Sequence, residues 1–252
     1  MVKKTKKVKD IKIYNFIETS RRRYVVGLII IPLYIILLRL LIVNPILRLI
    51  WNDSEAVDDF AGPIKTTIIL IALVILLRKS LMQSIKDFFY SKALDNLKWI
   101  VLSFLIIFGS KFVYVVISMI LKAGFSAQLS WMLAEKSPNQ VELDNFGLMY
   151  PAAFLIFTIV IAPIVEELIF RCIMYYWLRK VNVLFALAVT SLTFSGIHLM
   201  NYMGNISIFQ AVYYMINYLP VAIVLTVLYE KRRNILHCIL LHMLVNIVSI
   251  IL

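Results

Sequence analysis

In the run APIVEELIFR, residues 162–171, two carboxylates and a guanidinium stand in an otherwise apolar stretch. Ionisable groups inside a membrane span cost several kcal/mol, so they face a bundle interior or a water-filled cavity. On a helix Glu167 and Arg171 are four apart and share a face, where pairing lowers the cost of burying either charge. Glu166 lies about 100° round from that face and is free to point into a cavity as a general base. Taken alone, the run is equally consistent with three residues that only hold helices together.

Two further polar signatures follow. FSGIH places Phe194 and His198 four apart, among Ser191, Ser195 and Gly196, whose small size admits a neighbouring helix. HMLVN places His242 and Asn246 four apart on one face, whereas His237, five before His242, falls off that face and is read as non-catalytic. At 1.5 Å per residue, Glu166 stands about 20 Å from Arg179 and His198 about 24 Å from Asn182. By the same rise His242 and Asn246 are about 15 and 21 Å from Arg232, so all four reach a similar depth. A carboxylate, two imidazoles and an amide at one depth can activate water and stabilise an oxyanion.

The elements that carry them are membrane helices. The chain has 252 residues, 62% hydrophobic and 16% charged, outside the range of an ordinary soluble domain. Its net charge of +12 lies in short clusters between apolar runs, a pattern that sets membrane orientation and argues against nucleic acid as a partner. The two cysteines, Cys172 and Cys238, have no metal or disulfide spacing and read as packing residues. The expected fold is an all-α, polytopic membrane helical bundle of about seven transmembrane helices, with a count of eight left open.

Seven apolar runs of sufficient length fall at 24–50, 61–77, 99–121, 149–171 (continuing towards 178), 183–200, 207–229 and 234–252. Residues 1–23 form a basic tail, 24–148 the N-terminal helices with a long outer loop at 122–148, and 149–252 the helical core with the polar signatures. With the tail cytosolic, every strongly basic loop lies inside, including 78–98 and EKRRN at 230–234, and the C terminus lies outside. Segment 78–98 reads either as an amphipathic surface helix or as a solvated connection. Loop 122–148 is long enough to be a lid. Arg39 and Lys111, also within apolar runs, have no evident partner in the sequence and are read as snorkelling or as marking a local helix break.

In order and spacing, APIVEELIFR, FSGIH and LLHMLVN resemble the EExxxR, FxxxH and HxxxN signatures of the CAAX protease and bacteriocin-processing family of intramembrane endopeptidases. The resemblance covers about residues 149–252. It departs from the family at Cys172, where glycine commonly follows the motif arginine, and in the count of seven spans against a frequent eight. It implies peptide-bond hydrolysis in a helical bundle: Glu166 and His198 would activate water, His242 and Asn246 would stabilise the oxyanion, and Glu167, Arg171 and Phe194 would support them, the first two by steadying Glu166.

The resemblance implies a peptide or membrane-associated protein as substrate, and the compact polytopic chain with its Lys-rich tail suggests a multi-pass protein of a bacterial cell membrane. The cofactor stays open: Glu166, His198 and His242 could hold Zn²⁺ with a position left for water. The lack of HExxH, and carboxylate and imidazoles on separate helices, favour a metal-free mechanism. Two other readings use the same residues: a scaffold or bacteriocin-immunity protein, and a proton or solute transporter. Against transport, the sequence has no inverted repeat and no pair of broken helices. Oligomeric state is not legible.

Overall fold

A computed structural model of the protein describes residues 43–50, 54–124, 136–202 and 204–251. The basic tail, Arg39, most of the first apolar run and the middle of loop 122–148 lie outside the described residues. The described residues are helical, with no strand among them. In chain order they form α1 (Asn44–Ile50), α2 (Ser54–Tyr90), α3 (Ala93–Gly124), α4 (Pro138–Met149), α5 (Pro151–Leu178), α6 (Val183–Ile197), α7 (Ile208–Arg232) and α8 (Ile235–Ile251). Four helices, α2, α3, α5 and α7, are long and apolar enough to cross a bilayer, and α6 and α8 are shorter apolar helices. The protein is a multi-pass membrane protein built as a helical bundle.

Three boundaries differ from the sequence reading. Segment 78–98 is no surface helix: α2 runs through the basic residues to Tyr90, and the chain turns only at Ser91 and Lys92 before α3 begins. The 37 residues of α2 span about 55 Å, well beyond a hydrocarbon core of about 30 Å, so its basic end projects from the membrane. Charged residues lower hydropathy without interrupting backbone hydrogen bonds, so the apolar run understates the helix. Residues 138–149 of the expected long loop form α4, started by Ser137, whose hydroxyl accepts from the Gln140 amide at 3.3 Å, and by Pro138. Tyr150, whose φ of −134° and ψ of 63° leave the helical region before Pro151, separates α4 from α5.

The third boundary concerns α6, which ends at Ile197 with His198 as its C-cap, three residues short of the expected span. α7 opens on a capping box between Ser207 and Gln210 and closes on Arg233, whose φ of 53° is the left-handed turn that releases the chain into α8. One core joins the N-terminal helices to the rest: Ile69, Leu73 and Leu77 of α2 and Ile107 of α3 are buried with Leu168, Phe170, Leu225 and Leu241. Outward faces stay apolar, as Leu105, Phe112 and Met119 of α3 illustrate, and suit contact with lipid.

At the basic end, polar bonds knit the bundle. Glu230 accepts from Arg179, Arg233 and the Tyr175 hydroxyl. Asn96 accepts from Arg232 at 3.0 Å, lies 3.0 Å from His237 Nε2, and donates to the Phe88 carbonyl. His237 is thus a helix-joining residue, away from the polar cluster described next.

Candidate active site

α5 carries the acidic pair. Its backbone changes from α to π winding at Phe157–Ile161 and again at Leu168–Tyr175, on either side of the α turn that holds Glu166 and Glu167. Such local widening is frequent at functional sites because it re-aims side chains and loosens backbone acceptors. One acceptor is used at once: the Thr158 carbonyl, in the first π segment, receives the Asn246 side-chain amide of α8 at 2.7 Å.

Glu167 and Arg171 are fully buried and paired at 2.9 Å, the shared-face contact their spacing implies. Arg171 also donates to the Ala222 carbonyl of α7 at 3.1 Å and lies over the Phe194 ring, 4.6 Å from its centroid. The same Glu167 oxygen lies 2.8 Å from His242 Nδ1. The expectation that Glu167 and Arg171 steady Glu166 is therefore corrected: their hydrogen bonds run to His242 and to α7. Only an interhelical distance distinguishes the two arrangements.

His242 then presents Nε2 towards Glu166, whose Oε2 stands 3.8 Å away, with both side chains buried. Beside a carboxylate that accepts from Arg171, His242 Nδ1 must carry the proton it donates. His198, at the end of α6, places Nδ1 2.9 Å from the Phe194 carbonyl, one of the last carbonyls of the helix. A carbonyl only accepts, so His198 is the Nδ1–H tautomer and Nε2 keeps its lone pair when neutral.

Phe194 is the hub. Its ring meets His198 at 5.2 Å, His242 at 5.8 Å and Phe170 at 5.3 Å between centroids. The structure thus brings Glu166, Glu167, Arg171, Phe194, His198 and His242 into one cluster, with Asn246 one helical turn along α8. Tyr218 of α7 lies against His198, with 4.4 Å between ring centroids. Tyr218, Thr158 and Ala222 are the neighbours the sequence did not single out: an aromatic ring and two backbone carbonyls carry no motif.

Smaller expectations resolve as follows. Ser191 and Ser195 are buried, but a Cβ at Gly196 would meet only Met215 Cε at 4.0 Å, so packing there does not require glycine. Cys172 and Cys238 are free and buried; Cys172 accepts from the Tyr229 hydroxyl at 3.8 Å and fills the space a glycine would leave. Lys111, expected to snorkel, donates to Ser249 of α8 at 3.3 Å. Among the described residues no three His, Cys, Asp or Glu side chains converge as a metal-holding group, so the set Glu166, His198 and His242 does not fit a zinc cage. A crevice lined by Leu77, Ser80, Cys172 and Arg233 opens nearer the basic end and includes none of the seven site residues.

Comparison with known proteins covers the segment that carries this cluster. Residues 148–248 match the family model described as Type II CAAX prenyl endopeptidase Rce1-like. Over 186 residues the chain is 26% identical to UPF0177 protein YajF of Lactococcus lactis subsp. lactis (strain IL1403), covering 73% of this chain and 83% of the relative. No solved structure matches. The segment that carries all seven side chains is therefore similar to the type II CAAX prenyl endopeptidases of the Rce1-like kind.

Proposed function

We propose that the protein is an intramembrane endopeptidase that hydrolyses a peptide bond in a peptide or membrane-associated protein. The observation that carries this reading is the buried approach of Glu166 Oε2 to His242 Nε2 at 3.8 Å, with His198 beside them, inside the Rce1-like segment. In this reading Glu166, assisted by His198 Nε2, takes a proton from water, and the resulting hydroxide attacks the scissile carbonyl carbon. The negative charge that develops on the carbonyl oxygen is met by His242 and by the remaining N–H of Asn246. The proton then passes to the amide nitrogen, the C–N bond breaks, and a carboxylate and an amine leave.

The geometry supports the assignment. The Glu167 carboxylate takes His242 Nδ1 at 2.8 Å, which leaves Nε2 as the ring atom that faces Glu166 and the reacting group. The mechanism uses no metal. The protein would sit in a bacterial cell membrane, with its N terminus cytosolic and its C terminus outside, as the basic loops favour.

Full-length variants Glu166→Ala, His198→Ala and His242→Ala, purified and shown to be folded, are expected to lose cleavage; turnover retained in all three overturns the reading. A scaffold or immunity role has one observation in its favour: Glu167 and Arg171 tie α5 to α7 and α8. Glu166 makes no comparable tie, so a scaffold tolerates Glu166→Gln in a complementation assay where an endopeptidase does not.

A further inference from the structure

His198 occupies a mechanically weak position for a group that must hold a proton acceptor steady. It caps α6, and beyond it the chain leaves the α-helix for a short 3₁₀ segment at Met200–Tyr202. The hydrogen bond from Nδ1 to the Phe194 carbonyl fixes one atom of the ring but leaves its plane able to swing about that bond. The Tyr218 ring from α7 lies against it, with 4.4 Å between centroids and 20° between planes. This is the tightest ring contact His198 makes, close to parallel, and offset stacking of this kind is worth about 0.5–1.5 kcal/mol beyond area burial.

Tyr218 is held in turn from the other side. Its hydroxyl is 3.0 Å from Ser137 Oγ and 3.4 Å from Asn139 Nδ2, in the first turn of α4. α4 is itself pinned by the Phe60, Phe146 and Tyr150 rings and by the bond from the Tyr202 hydroxyl to Glu142. A line of contacts thus runs from α4 through Tyr218 to the His198 imidazole.

We propose that Tyr218 is a positioning residue for His198: its ring fixes the imidazole plane and aims Nε2 at the reacting water, while its hydroxyl registers that ring against α4. The inference rests on the assignment of His198 as a proton-handling group. It separates two parts of one side chain, because the flat ring carries the positioning and the hydroxyl carries only the tether.

The test uses the full-length protein with ¹³C-labelled histidine, which is tractable because the chain has three histidines. In the wild type and in Tyr218→Phe the ring current of the stacked face shifts the His198 ring protons upfield. In Tyr218→Met, which fills similar space without a flat face, that shift is lost. Against a pooled library of internally quenched decapeptides, Tyr218→Phe keeps kcat within about twofold, whereas Tyr218→Met loses about tenfold or more with KM little changed, since misplacing a catalytic group by about 1 Å can cost about 100-fold. Wild-type kcat in Tyr218→Met, an equal loss in Tyr218→Phe, or His198 protons unmoved by removing the ring each overturns the inference. If Tyr218→Met does not fold, Tyr218→Trp is used: a larger stacked face increases the upfield shift, and an unchanged shift overturns the inference. Turnover retained by His198→Ala is a separate result, which defeats the endopeptidase reading while the proton shifts still report on the stack.

Discussion

At the Glu167 carboxylate a single oxygen, Oε1, serves both the Arg171 guanidinium and the His242 imidazole. Removing the guanidinium leaves a buried anion without its main partner, and breaking a buried pair in this way costs about 3–5 kcal/mol. Arg171→Met should therefore lower the unfolding temperature sharply, and Glu167→Gln combined with Arg171→Met should be more stable than Arg171→Met alone; a double variant no better than the single one removes the pair from the account. Contacts such as Glu167 with Arg171 were legible in the sequence because the helical repeat alone determines which residues share a face. The turn of Glu167 towards His242, and the stacking of Tyr218 on His198, depend on distances between helices, which no local periodicity contains.

Among the elements, α8 is held at two levels. Near the site, Asn246 donates to the Thr158 carbonyl of α5; at the basic end, His237 meets Asn96 and Asn234 donates to the Ser84 carbonyl at 2.9 Å. Asn96 is buried and serves Arg232, His237, Ser91 and the Phe88 carbonyl together. Its loss takes the partner from the buried His237 Nε2, at about 1–3 kcal/mol. Asn96→Ala should thus reduce thermal stability while turnover per folded molecule stays at the wild-type level, and loss of turnover in well-folded protein contradicts that division between anchor and site. The sequence showed the apolar body of α2 and α3 but not the site of their turn. Charged residues at 78–90 end the hydropathy signal, whereas the helix ends only where the chain reverses at Ser91 and Lys92. The π segments of α5 were equally hidden, since no residue type encodes the winding.

For the whole molecule, the bundle was legible because spans of about 20 apolar residues must satisfy their backbone groups internally. The assembly of one cluster from α5, α6 and α8 followed from matched depths along three helices. The donor geometry leads to a chemical expectation: turnover survives prolonged dialysis against a chelator, and loss of activity restored by stoichiometric zinc contradicts the metal-free proton transfer.

The most direct test of hydrolysis at this cluster compares peptides released in ¹⁸O-water by membranes that carry the wild-type protein and by membranes that carry Glu166→Ala. The account predicts fragments that end in a carboxylate labelled from water, present with the wild-type protein and absent with the variant. Identical peptide profiles from the two membranes would contradict it.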